Sequence, residues 1–230
     1  MSQITATLID HMGSDLSVVN AARVSFGKES DWEVDYDQVP CGLERLSDRD
    51  AKLIRYLAKH RHTSPFGHAF ASFHCTGPIF VARQLVKHKF LRWNEISRRY
   101  VDDEPEFYTP ETWRGRSEDK KQGSEGVVEV MDVYFHADEL ENTISQVTLD
   151  LYHNLLAEGV APEQARMVLP QSTLTEWYWS GSLDAFAAMC RLRCASDTQY
   201  ETRLVADQIS EKMADLFPVS WAALIKESNQ

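Results

Sequence analysis

The sequence predicts one α+β domain spanning residues 1–230, with strands in the first half of the chain and a second half that is mostly helical. Three observations lead there. Stretches of period-two alternation occur near the N-terminus and before Pro78, which suits half-buried strands. Beyond a turn-rich segment at 102–126, apolar residues recur at helical spacing almost to the C-terminus. No Pro/Gly/Ser-rich linker interrupts the middle, and no internal repeat is visible.

Taken in order, "QITATL" alternates as an edge strand would, and "SVVNAARVSF" reads as a short helix. The acidic stretch Lys28 to Asp37 is expected as a surface loop. "SDRDAKLIRYLAKHRH" offers Ser47 as N-cap, acids in the first turn, and Leu53, Ile54 and Leu57 on one face, which predicts a helix. "PFGHAFASFHCTG" sets Phe66, His68, Phe70, Ser72 and His74 against small residues and suits a strand. In "IFVARQLVKHKFLRW", Val81, Leu85, Val86 and Phe90 fall at helical spacing, so a helix is expected through Trp93 with its basic residues on the outer face. "DDEPEFYTPETWRGRSEDKKQGSEG" reads as a long charged loop, of a length uncommon unless functional. "ENTISQVTLDLYHNLLAEG" predicts a helix ending at Gly159, and "APEQARMVL" restarts with Pro in the first turn. "EWYWS" is expected in the core rather than as a stacking platform, and the segment from Leu183 to Phe217 predicts one or two further long helices.

Composition excludes several classes. A chain of 230 residues with 43% hydrophobic content buries a sizeable core, and a formal net charge of −11 argues against general affinity for nucleic acid or anionic membrane. An anion must therefore bind at a local site. The start lacks a basic segment followed by an apolar run, and no window approaches the roughly 18 apolar residues of a membrane span, so a soluble, cytoplasmic protein is expected. Cys41, Cys75, Cys190 and Cys194 form no CxxC pair, which indicates neither a zinc knuckle nor a disulfide framework.

Against that acidic background, "KHKFLRWNEISRRY" concentrates Lys87, His88, Lys89, Arg92, Arg98 and Arg99 around the lone carboxylate of Glu95. Such a run is commonly a solvated cationic face. Trp93, Ser97 and Tyr100 within it equally suit a phosphate carried beside a planar heterocycle. Arg166 and Arg193 stand beside apolar neighbours, where an arginine either snorkels to water or meets an anionic partner. His60, His62, His68 and His74 invite a metal, but His68 and His74 in one strand would lie about 20 Å apart, and no HExxH spacing occurs. Cys194 beside Arg193 reads either as a small apolar residue or as an activated thiolate. There is no GxGxxG or GxxxxGK[ST], so a dinucleotide would bind outside those frameworks.

The strip resembles the signature of the flavin-dependent thymidylate synthases, an Arg-His-Arg triplet followed by Asn-Glu-x-Ser-x-Arg-Tyr. His88, Asn94, Glu95, Ser97, Arg99 and Tyr100 fall at its positions. "AARVSFG", "RHTSPFGHAFASFHCTGPIFVARQ", "EFYTPETWR", "ARMVLP" and "LRCASDTQYE" are similar to family elements in the same order, across nearly the whole chain. The resemblance implies a central twisted antiparallel sheet flanked by helices, and a homotetramer with sites between subunits. It implies methyl transfer to dUMP, with 5,10-methylenetetrahydrofolate as carbon donor, FAD as hydride carrier and NADPH as reductant; composition and spacing, as above, lead to the expectation of no nucleic acid, membrane or metal partner.

By position, Ser64, Lys87, His88, Lys89, Glu95 and Ser182 would face the cofactor. Gln84, Glu95, Ile96, Ser97, Arg98, Arg99, Arg166 and Arg193 would hold dUMP, with Lys87 reaching over from another subunit. Arg193, which would stabilise negative charge on the uracil ring, His62, near the flavin and folate, and Ser97, a positioning group, form the implied catalytic set. The family's two arginines are Lys87 and Lys89 here; its asparagines near the flavin align with Ser182 and Ala188, a histidine with Asp197, and a glutamate with Gly67. Lysine keeps the charge but loses the two-pronged fork, so weaker FAD binding is expected.

Overall fold

A computed structural model describes residues 3–35, 43–101, 103–118, 123–129 and 137–226. Four antiparallel strands form the main sheet in the order β1 (Thr5–Met12), β4 (Phe70–Pro78), β8 (Leu174–Ser182), β5 (Leu91–Glu95). Two hairpins stand apart from it: β2 (Glu33–Asp35) with β3 (Leu43–Arg45), and β6 (Arg114–Arg116) with β7 (Ser124–Val127). The helices are α1 (Asp15–Arg23), α2 (Asp48–Lys59), α3 (Ile79–Leu85), α4 (Ala137–Ala157), α5 (Pro162–Ala165), α6 (Leu183–Arg193), α7 (Tyr200–Leu216) and α8 (Pro218–Lys226).

The sheet is amphipathic in the way period-two alternation dictates. Ala71, Phe73 and Cys75 of β4 and Trp177 and Trp179 of β8 are buried, while Ser72, His74, Thr76, Glu176 and Ser180 stand half-exposed on the other face. Phe73, Trp179 and Phe186 meet edge to face, with ring centroids 5.4 and 5.7 Å apart, so α6 is seated directly on the strands. Val18 and Val19 of α1, Ile54 and Leu57 of α2, Leu85 of α3, and Val205 and Ile209 of α7 complete one core with them. First and last segments of the chain share it: the buried Asp15 carboxylate accepts the backbone N–H groups of Val219 and Ser220 at 2.9 Å, capping α8 from the start of α1.

Several expectations hold, among them the edge position of the first strand and the helix begun by Ser47. The Ser47 hydroxyl accepts the Asp50 N–H at 3.1 Å, a cap worth about 1 kcal/mol. Gly159 closes α4 with φ at +84°, a conformation that favours glycine.

Four expectations are corrected. The helix expected through Trp93 ends at Leu85; Phe90 turns the chain with φ at +65°, and Leu91 and Trp93 alternate into β5, because pairing with β8 outweighs the helical spacing. Trp93 then stacks on Trp177, centroids 4.6 Å apart and planes 15° from parallel. The second half, mostly helical as expected, also carries β7 and, in the run expected only as core, β8, the strand that holds the sheet together; a run of Trp and Tyr with Ser and Gly is legible as core but not, by itself, as a strand. The strand after Pro65 starts only at Phe70, since Ser64–His68 forms a 3₁₀ turn, and Phe70 faces outward. The loops at Lys28–Asp37 and 102–126 contain β2 and the β6–β7 hairpin; residues 36, 37, 102 and 119–122 lie outside the described residues, as does Cys41.

Candidate active site

The turn between α3 and β5 carries Lys87, His88 and Lys89 across the C-terminal end of α6, where Arg193 is the last residue. Arg193 Nε donates to His88 Nε2 at 2.9 Å. A guanidinium only donates, so Nε2 must accept, and the imidazole is neutral with its proton on Nδ1. Burial first and the Arg193 charge second push the His88 pKa down to about 4. Burial also lowers the Arg193 pKa, although an arginine remains a cation.

This pair separates two cavities. The first, 720 Å³, is lined by Gln84, Lys87 and Arg193 together with Tyr108, Arg114 and Glu201. The second, 760 Å³, is lined by His88 and Lys89 with Arg61, His62 and Arg191 over an apolar floor that includes Phe66. Successive residues of one turn thus serve opposite sides. Arg61 and Phe90, both at the second cavity, have φ of +55° and +65°, strained for side chains of that size.

The first cavity has a directional polar wall. Glu201, 4% exposed, accepts from Arg114 Nη2, from Tyr108 Oη at 3.3 Å and from Gln199 Nε2 at 3.3 Å. Burial and the neighbouring Glu201 charge raise the Tyr108 pKa, so its hydroxyl remains a donor. Gln84 Nε2 donates in turn to Gln199 Oε1 at 3.3 Å. The β6–β7 arm closes this side: a Cβ on Gly123 would fall 2.9 Å from the Asp197 carbonyl, so glycine permits the approach.

The other end of the strip lies elsewhere. Glu95 accepts from Thr175 Oγ1 at 2.8 Å and Trp93 Nε1 at 3.0 Å. Ile96 N–H bonds the Glu176 carbonyl at 3.0 Å; Ser97 Oγ accepts from Arg99 Nε at 3.2 Å, and the Arg99 guanidinium carbon lies 5.0 Å from the centre of the Tyr100 ring. Arg98 donates to the Asp103 carbonyl, and the exposed Arg166 to that of Glu163 at 3.4 Å. None of these residues lines either cavity.

Ser64 and His62 border a neighbouring hollow with Phe26 and Tyr56. Ser182 is buried with its hydroxyl on Asp184 Oδ1 at 2.5 Å, and Ala188 lines the second cavity. Cys194 follows Arg193 at the helix end, half-buried and lining neither cavity. Among the described residues no group of three or more His, Cys, Asp or Glu side chains could hold a metal ion, and no helix is long and apolar enough to cross a membrane.

Glu201, Arg114, Tyr108 and Gln199 carry no role in the sequence reading. Their segments, "EFYTPETWR" and "DTQYE", were matched only as stretches of resemblance, and an acid in the first turn of a helix ordinarily faces water.

The α+β fold holds an arginine–histidine pair between two cavities, each rimmed by cationic side chains. The family profile "Thymidylate synthase complementing protein" matches residues 7–219. A flavin-dependent thymidylate synthase of Thermus thermophilus is 41% identical over 216 residues, covering 94% of this chain and 73% of the relative. One of Kosmotoga olearia is 39% identical over 221 residues, covering 95% and 88%. Among solved structures, a UMP/dUMP methylase, PolB, of Streptomyces cacaoi bound with 5-Br dUMP superposes with a TM-score of 0.77 at 32% identity, over 98% of this chain and 96% of that one. The chain belongs to the flavin-dependent thymidylate synthase family.

Proposed function

We propose that this methyltransferase converts dUMP to dTMP, with 5,10-methylenetetrahydrofolate as carbon donor, FAD as the flavin and NADPH as reductant, in a single domain that works as a homotetramer. The observation that carries the reading is Arg193 held by His88 at the boundary of the two cavities. The first cavity takes the nucleotide, with Gln84 and Lys87 beside Arg193. A fixed guanidinium against the uracil ring stabilises negative charge there and leaves C5 more nucleophilic, so no enzyme nucleophile is required. That suits the place of Cys194 outside both cavities.

The second cavity fits a flavin nucleotide: Lys89, Arg61 and Arg191 can meet phosphates, and the apolar floor can meet the ring system. When bound, the flavin supplies the hydride that completes the methyl group. His62, at the rim, orients the ring or relays a proton, and Ser64 lies on the same side. Asp184 occupies the Ser182 hydroxyl, which favours Lys89 and His88 over Ser182 as cofactor contacts.

Glu95, Ile96, Ser97, Arg98, Arg99 and Arg166 reach the nucleotide only if another copy of the chain brings them, which is why the proposal includes sites between subunits. Charged groups that line neither of these two cavities support it.

Saturable binding on titration with FAD, followed by tritium release from dUMP labelled at C5 in the presence of folate, FAD and NADPH, is the expected result. Nucleotide binding without tritium release above the no-enzyme control would mean a binding protein that has lost the chemistry. No flavin binding at millimolar FAD sinks the cofactor assignment.

A further inference from the structure

The wall of the first cavity contains a chain of groups whose hydrogen-bond direction is dictated from one end. The Glu201 carboxylate oxygens accept from Arg114 Nη2 and Tyr108 Oη. The Gln199 atom facing Glu201 must therefore be its amide nitrogen, at 3.3 Å from Oε2. That choice turns Gln199 Oε1 toward Gln84, whose facing atom must then be its own nitrogen, again at 3.3 Å. Two side-chain amides, either of which could be flipped in isolation, are locked by one carboxylate. At the end stands Gln84 Oε1, a buried acceptor with no hydrogen-bond partner among the described residues, on a residue that lines the cavity together with Lys87 and Arg193. Buried carbonyl oxygens are normally satisfied, so a ligand donor is the natural complement.

Resting on the proposed nucleotide site, we infer that Glu201 is a positioning residue: through Gln199 it sets the direction of the Gln84 amide, so that the cavity presents a carbonyl oxygen to a hydrogen-bond donor of the bound nucleotide. Arg114 and Tyr108 hold the carboxylate, the arginine lying 4.5 Å from the Tyr200 ring centre and so braced from behind. The relay acts on specificity. A pyrimidine nucleotide with a donor at the matching position is accepted, and one presenting an acceptor there is opposed by the carbonyl. dUMP carries two donors, the N3–H of the ring and the 3′-hydroxyl of the sugar.

The test measures dUMP binding to the FAD-loaded enzyme by titration, alongside 3-methyl-dUMP and the 2′,3′-dideoxy nucleotide, each lacking one donor. In wild type, the analogue missing the contacted donor should bind about three- to tenfold more weakly than dUMP, the range of one hydrogen bond. In Glu201→Gln, whose neutral amide lets both glutamines turn, dUMP should weaken by a similar factor and that analogue's penalty should shrink toward one. This loss of coupling is what a merely structural role would not produce. Gln199→Leu, which cuts the relay but leaves the Arg114–Glu201 pair in place, should give the same result and serves where Glu201→Gln does not fold. Wild-type binding of dUMP with unchanged analogue penalties in the folded variants overturns the inference and leaves the proposed function standing. Failure of wild type to bind dUMP overturns both.

Discussion

The two ends of the basic strip share a composition and differ in everything around it. Lys87, His88 and Lys89 sit on a tight turn over α6, where Arg193 fixes His88 and two cavities open. Six residues on, Glu95 to Tyr100 leave the end of an edge strand, bonded to one another and to β8 and lining neither of the two cavities. A charge cluster becomes a site only where the fold supplies a concave, partly desolvated wall. The first end has that wall, and the second presents cations that await one.

The comparison is broken most directly by mixing defective chains. Arg193→Ala should cost about 10²–10³-fold in tritium release, the loss typical of a charge-stabilising donor, and Arg99→Ala should be similarly impaired. If the nucleotide site takes Arg193 from one subunit and Arg99 from another, co-expression of the two variants should restore about a quarter of wild-type activity by random assembly. No recovery in verified mixed oligomers would place both arginines in one chain's site and dissolve the distinction between the ends.

A smaller effect sharpens the division within the first end. Lys87 lines the first cavity and not the second, and Lys89 the second and not the first. Lys87→Ala should raise the dUMP dissociation constant by about tenfold with FAD affinity little changed, and Lys89→Ala should do the reverse, each losing one charge-assisted contact. Equal effects of both substitutions on both ligands, read from paired titrations, would mean a single undivided cavity.

Much of the framework was legible. The Ser47 cap, the Gly159 stop and the two helices after Leu183 follow from local chemistry; Gln84, Lys87 and Arg193 line one cavity of a single chain, although the resemblance brings Lys87 from another subunit. What was not legible depended on partners distant in sequence. Leu85 to Trp93 fits a helix by spacing, and only the availability of β8, some eighty residues on, makes Leu91–Glu95 a strand. β8 itself hides because its neighbours lie on both sides in space. Glu201 hides because a first-turn acid looks like a helix-dipole residue until the β6–β7 arm brings Arg114 to it.

The least of the expected effects tests whether His88 is the neutral hinge between the cavities. Its folded pKa is lowered to about 4 from an ordinary 6.5, by burial first and by Arg193 second. Between those values the unfolded chain binds a proton that the folded chain refuses. The stability contributed is full above about pH 6.5 and is lost as pH falls toward 4. Asp50 adds a slope of the same sign: burial raises its pKa, but hydrogen bonds from Arg23 and Ser47 outweigh that and lower it, so its stabilisation also fades in acid. That contribution is common to wild type and His88→Gln, in which the amide oxygen can still accept from Arg193 but cannot titrate. Urea midpoints measured from pH 7 to 4.5 should therefore fall more steeply in wild type than in His88→Gln. Parallel slopes would mean that His88 takes its proton in the folded state as readily as in the unfolded one, and the bond from Arg193 could not then be what divides the two cavities.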